Sequence, residues 1–213
     1  YRSGPGGLLR GLMLDVVAPW FRWFDRWGGQ QPDLVLANSR HTAKRIQTAW
    51  DRDAAVVYPP VRTHFFTPDA SPRDTFLLWA GAIEPAKRLD RVMALAERHG
   101  RRLVVVGEGS QSARMRRVAG EHTTFLGRVS DERLRELYRT AAAFVQLHEE
   151  DFGITVVEAL ACGCPVMVHC TGGHAEIVTD GVGVQVDAEN VEAIDSGFTQ
   201  LLQQSWDPAP AVA

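Results

Sequence analysis

The chain has 213 residues, 45% of them hydrophobic and 23% charged. That is room for one domain or one and a half with a substantial core, and it excludes disordered and collagen-like chains. The net charge of -3 is uneven: residues 1–58 carry 8 basic against 5 acidic side chains and residues 59–213 carry 15 against 21, the wrong sign for a nucleic-acid surface. In chain order, the stretch Leu8 to Trp20 is the most apolar early segment, but Arg10 and Asp15 interrupt it and it falls short of the ~20 residues a membrane span needs. No secretory signal is expected, since the chain opens on Tyr1-Arg2 with no small-residue cleavage site, and the missing Met suggests a fragment.

From Asp33 the pattern predicts a strand to Asn38, a helix capped by Ser39 to about Trp50, and a strand from Ala55 to Tyr58 that Pro59-Pro60 ends. Residues 59–74, with Pro68 and Pro72 and little periodicity, read as a linker. Beyond it, strands are predicted at Phe76–Ala80, Leu103–Val106, Thr123–Leu126, Ala143–Leu147, Val166–His169 and Gly183–Val186. Helices alternate with them at Arg88–His99, around Met115–Ala119, around Leu134–Ala141, from Thr155, and from Val191 to about Gln204. Such alternation over some 150 residues implies an α/β fold with a doubly wound parallel sheet. Ligands in that architecture sit at the C-terminal ends of the strands, so the strand-to-helix loops are where chemistry belongs.

Four loops stand out. Gly81 follows a strand and gives the backbone freedom to turn, and Lys87, the sole lysine after residue 58, stands near the next helix start. Lys87 is either a phosphate partner or a solvated lysine. Gly107-Glu-Gly109 lacks the third glycine of a dinucleotide fingerprint and by itself says only tight turn. Gly127-Arg128-Val129-Ser130 leads into a helix that Ser130 can cap. The fourth loop, Glu149 to Glu158, crowds acids at a helix N-terminus whose unpaired N–H groups suit an anion. Glu150 and Glu158 have seven residues between them and can face one ligand, although Thr155-x-x-Glu158 also reads as a capping box that would make Glu158 a structural residue of the first turn.

In this order the loops resemble the GT-B glycosyltransferases of the retaining family 4 type. The matching text is Pro59-Pro60-Val61 with Phe66 and Pro68, Gly81 with Pro85 and Lys87, Val106 to Gly109, Phe125 to Gly127, Glu150 to Gly153, Glu158 to Gly163 with Pro165-Val166, and Gly172-Gly173 with Glu176 and Gly181. The stretch Ala37-Asn-Ser39 to Pro60 resembles the end of the N-terminal domain in O-antigen mannosyltransferases. The resemblance divides the chain into residues 1–58 as the tail of an acceptor domain, the linker, and residues 75–213 as a nucleotide-sugar-binding domain of Rossmann type. It implies a nucleoside diphosphate sugar donor, GDP-mannose being the subgroup's suggestion, and a glycan or lipid-linked acceptor. Glu150 would hold sugar hydroxyls, Glu158 the ribose, and Lys87 the diphosphate, with Glu150 and Lys87 acting at the reacting centre. The backbone of Phe152, Gly153, Ile154 and Thr155 would hold the distal phosphate and sugar, with Gly81 beside them, and Gly127, Arg128 and Val129 would line the base.

One departure is Ala82, where the family has an arginine. Arg88 is the nearest replacement, but a neighbouring helical position points about 100° away. The acceptor pocket, the glycine-rich loop facing the donor and a histidine near the reacting sugar are absent from the text, and the chain stops soon after Trp206-Asp-Pro208, before the helix that crosses back. These departures keep a second reading open, a nucleotide-sugar-binding domain without catalysis.

No cofactor and no metal is expected: the one Asp-x-Asp pair, Asp51-Arg-Asp53, precedes the linker. Cys162, Cys164, His169, Cys170 and His174 have a strand running through them and are set aside as a zinc site, the cysteines being read as packing residues. Their number and clustering exclude a disulfide framework and point to a reducing, cytoplasmic compartment. Trp20, Phe21, Trp23, Phe24 and Trp27 are read chiefly as core of the incomplete domain, with peripheral contact at the inner membrane face as the alternative.

Overall fold

The computed structural model describes residues 5–179, 181–204 and 206, with side chains from 16 onward. The chain divides into two compact units, Tyr1–Tyr58 and Pro59–Ala213. Asp207 and Pro208, part of the expected C-terminal stop, lie outside the described residues.

In the first unit α1 (Pro5–Gly29), with Pro19 inside it, precedes the short parallel pair β1 (Leu36–Ala37) and β2 (Ala55–Val56), which flank α2 (Arg40–Trp50). Ser39 caps α2 as expected, its hydroxyl accepting from the Thr42 N–H at 3.0 Å. The Trp50 indole N–H donates to Asp25 at 2.9 Å and Arg26 pairs with Asp51 at 3.0 Å, which ties α2 to α1. The aromatic stretch is not core within this chain. Trp20 is 73% and Trp23 64% exposed, and Val16, Trp20, Trp23, Phe24 and Trp27, spaced i, i+4, i+7, i+8 and i+11, form one open helical face. Two strands of two residues bury too little to cover it. No described helix is long and apolar enough to cross a membrane.

The second unit is a six-stranded, all-parallel sheet built from β3 (Leu77–Ala80), β4 (Leu103–Val106), β5 (Thr123–Gly127), β6 (Ala143–Gln146), β7 (Val166–His169) and β8 (Gly183–Val186). The helices are α3 (Leu89–Arg98), α4 (Ser112–Val118), α5 (Asp131–Thr140), α6 (Ile154–Ala161) and α7 (Val191–Gln203), joined by 3-10 turns at Pro85–Lys87 and Gly173–Glu176. The strand order is β5-β4-β3-β6-β7-β8. The central strands are buried along their whole length, so alternation sends Leu77, Trp79, Val105 and Val145 into one core with α3 and α7, and Leu78, Val104, Phe144 and Val168 into another with α5 and α6. Each such side chain contributes roughly 1.5–3 kcal/mol on burial. Phe66 joins the second core edge-on to Tyr138, with ring centroids 5.9 Å apart.

The strand order positions the site. The chain winds outward from β3 through β4 to β5, returns to the other side of β3 with β6, and winds outward again to β8. The loops after β3 and β6 therefore diverge at the sheet's switch point, the crevice where ligands of open α/β sheets bind.

Candidate functional site

The loop after β3 is shaped by glycines in its neighbour. Gly81 itself carries no unusual backbone, and a Cβ there would meet Trp79 no closer than 3.5 Å, so the turning role expected of it is corrected. That role belongs to Gly107, at φ +117°, where any Cβ would sit inside the van der Waals shell of the Gly81 carbonyl. A Cβ on Gly109 would come within 2.5 Å of the Ile83 carbonyl oxygen. Gly107-Glu-Gly109 thus lets the β3 and β4 loops lie against one another. Glu84 then accepts from the Ser110 N–H at 2.8 Å, fixing the turn that carries Lys87.

Lys87 and Glu150, 63 residues apart, form an ion pair across the switch point. The His148 Nε2 lies 3.1 Å from the same oxygen, Glu150 Oε2. Burial disfavours the charged carboxylate, but the hydrogen bonds from His148 and Lys87 and the Lys87 charge outweigh it and hold the group at about 2. Oε1 has no hydrogen-bond partner among the described residues, so it is the oxygen left to accept from a ligand. His148 is 2% exposed, and burial lowers its proton affinity against the pull of Glu150.

Gly153, at φ +95°, is the N-cap of α6, and a Cβ there would strike His174 at 2.7 Å. The Val156 N–H bonds back to the Gly153 carbonyl at 3.0 Å, so the amides that helix geometry leaves unpaired are those of Ile154 and Thr155. Ile154 is half exposed and Phe152 buried. Gln146 donates to the Thr155 hydroxyl at 3.4 Å.

The capping-box reading of Glu158 does not hold. With α6 starting at Ile154 behind Gly153, which supplies no side-chain cap, Glu158 falls in the second turn. Its partner is Tyr138 on α5, whose hydroxyl donates at 3.4 Å. Burial raises the Glu158 carboxyl pKa, with the Tyr138 hydrogen bond and Arg62 opposing. Arg62 bonds Asp131 at 2.8 Å and stacks over Phe65. Glu150 and Glu158 thus sit in two clusters with no hydrogen bond between them, one at β3 and β6, the other at α5 and α6.

The loop after β5 lies near the second cluster in sequence. Gly127 adopts φ +72° and accepts from the Gly107 N–H at 2.8 Å. Val129 packs on the second core, Arg128 reaches Glu108 at 3.2 Å, and Ser130 caps α5 through the Arg133 N–H at 3.2 Å. Arg88 does not replace the arginine absent at Ala82: its left-handed backbone turns it to Asp90, 3.2 Å away.

Sequence reasoning missed His148, Tyr138 and Arg62 as site residues. Placement of His148 two positions before Glu150 was a usable signal; Tyr138 was visible only as a helix-face residue, and nothing pointed to Arg62. Among the described residues no three His, Cys, Asp or Glu side chains cluster so as to hold a metal ion. Cys162 and Cys164 are buried, with thiols pushed up to about 12 by burial, as packing residues should be, whereas Cys170 is exposed, against expectation. A groove of about 630 Å³ lined by Asp74, Arg102, Leu126, Arg133 and Thr140 runs along β5 and α5.

Residues 61–210 match the family Glycosyl transferases group 1, and the chain belongs to that family. It is 33% identical over 187 residues to a D-inositol 3-phosphate glycosyltransferase of Mycobacterium sp. strain KMS, covering 76% of this chain and 43% of the relative. It is 30% identical over 217 residues to a GDP-mannose-dependent alpha-(1-6)-phosphatidylinositol monomannoside mannosyltransferase of Mycolicibacterium smegmatis, covering 87% and 56%. The chain thus spans about half the length of the curated relatives it matches. Its fold is that of sucrose-phosphate synthase from Thermosynechococcus elongatus, with TM-score 0.73 at 22% identity over 90% of this chain and 53% of that one. These relationships agree with the GT-B glycosyltransferase resemblance read from the loops.

Proposed function

We propose that this chain is the donor-binding part of a retaining glycosyltransferase that moves a sugar from a nucleoside diphosphate to a glycan or lipid-linked acceptor. The observation that carries the reading is the convergence of Lys87, Glu150 and the α6 N-terminus at the sheet's switch point. As such a donor reacts, its sugar ring turns oxocarbenium-like and negative charge grows on the departing phosphate. Lys87 and the Ile154 and Thr155 amides neutralise that charge without a metal, while Glu150 Oε1 accepts from sugar hydroxyls. Glu158, beside Tyr138, receives the ribose, and Gly127 to Val129 flank the base. Mannose from GDP-mannose is the favoured donor group, supported by the GDP-mannose dependence of the M. smegmatis relative. The exposed aromatic face of α1 supports peripheral contact at the inner face of the membrane, as a lipid-linked acceptor requires.

A second reading, nucleotide-sugar binding without transfer, is favoured by Ala82 together with the engagement of Arg88 by Asp90, which leave Lys87 without a cationic helper. Calorimetric titration of the chain with GDP, UDP and ADP tests the donor site: weak binding of one nucleoside diphosphate is expected, and binding of none refutes it. Orienting the acceptor contributes up to ~7–11 kcal/mol and belongs to the other domain, so the 213 residues alone should transfer no sugar. Turnover by this chain at the rate of a full-length relative would overturn that division of labour.

A further inference from the structure

Glu150 is held from two sides, and only one of its holders is exposed to the crevice. Lys87 is partly open, as a diphosphate partner must be. His148 is buried almost completely, and its Nε2 points at Glu150 Oε2 from 3.1 Å. An ionised carboxylate only accepts, so this geometry requires the proton on Nε2. Nδ1 is then the bare nitrogen, and it is buried without a partner.

The groups packed around His148 favour that same neutral form. His174, from the turn after β7, sets its Nε2 2.9 Å from the His169 carbonyl, and its Nδ1 too is buried without a partner. The His169 Nδ1 lies 3.1 Å from the Ala188 N–H and 3.2 Å from the Val186 carbonyl oxygen. His148 and His174 therefore each carry a proton on Nε2. Lys87, His169 and His174 face His148 with positive or potentially positive charge, and Glu150 alone opposes them. His174 is held neutral by burial, then by His148, at about 4. The Gly173 N–H also donates to the Glu150 backbone carbonyl at 2.7 Å, so the turn carrying His174 supports the loop from below.

We propose that His148 is a positioning residue: its Nε2–H, fixed in one tautomer inside the fold, occupies Glu150 Oε2 and so aims Oε1 at the sugar of a bound donor. The proposal rests on the donor-site reading above. A histidine that merely filled space would not need a nitrogen at that point, and an apolar ring would serve equally well.

The test compares the chain with His148→Phe, which keeps a ring and removes the donor, and His148→Gln, whose amide N–H reaches a similar point. Each is titrated with GDP, UDP, GDP-mannose and UDP-glucose. His148→Phe should weaken the sugar conjugate about tenfold, the effect of about one net hydrogen bond, with the free nucleotide unchanged and His148→Gln restoring the difference. Equal loss for conjugate and free nucleotide, or no loss, overturns the proposal. Imidazole ¹⁵N spectra of the ligand-free chain supply an independent readout: His148 should stay neutral with its proton on Nε2 through neutral pH. A proton on Nδ1, or an imidazolium there, also overturns it. If the unaltered chain binds none of the four ligands, the donor reading fails by itself and the relay from His148 to Glu150 is decided by the spectra.

Discussion

Replacing Lys87 with Met keeps the stem and removes the charge. The Glu150 carboxylate is then left with His148 as its one hydrogen-bond donor among the described residues, while burial continues to oppose its ionisation. Holding that carboxyl at about 2 rather than its ordinary 4.5 corresponds to roughly 3 kcal/mol of preference for the charged form. That figure is net of burial and shared between two donors, so the part lost with Lys87 is roughly 1.5 kcal/mol. The sign follows from linkage. A carboxylate whose folded pKa is depressed adds stability that is fully present above its unfolded value and disappears as the pH falls toward the folded one, here between about 4.5 and about 2. Lys87→Met should therefore be less stable than the unaltered chain in urea near neutral pH, with the gap narrowing near pH 3. Carboxyl ¹³C shifts should show Glu150 titrating higher than in the unaltered chain, though still below its ordinary value because His148 continues to donate. A variant of equal stability at neutral pH, or a Glu150 carboxyl still titrating near 2, would refute the assignment of the pair.

Glu158→Gln should weaken nucleotide binding by about ten- to a hundredfold, as expected when a partner of buried hydroxyls loses its charge. It should leave stability unchanged or slightly higher near neutral pH, because burial raises this carboxyl and the neutral amide avoids that cost; unchanged binding by calorimetry sinks the ribose role. Gly107→Ala should cost more than ~2 kcal/mol in urea unfolding, through a backbone that L residues avoid and the clash with Gly81, whereas Gly81→Ala should cost little. A reversed order would mean the two loops are not packed as described. Nucleotide binding should survive EDTA, and binding that vanishes with EDTA and returns with magnesium would show that Lys87 and the α6 amides do not suffice to neutralise the diphosphate.

Much of the second unit is local physics and could be read directly. Continuous runs of β-branched and apolar residues, closed in β7 by His169, mark β4 and β7 with the bounds the structure has, since a strand buried on both faces is built mainly of apolar side chains. Ser39 and Ser130 announce their helices because a cap is a contact within one turn. The loops of the candidate site and most of its side chains were likewise marked by glycines and charges at strand ends. Thr155-x-x-Glu158 misled for a physical reason: Gly153 takes a left-handed conformation that starts α6 earlier, and a glycine's backbone choice is invisible in its letter. Tertiary structure alone decided the strand order, and with it the meeting of Lys87 and Glu150 across 63 residues. It decided that Gly107 rather than Gly81 bears the close approach, and that His148 lies buried behind Glu150. Each of these is a contact between segments distant in the chain, and periodicity carries no record of which strands pair or which loops then face one another.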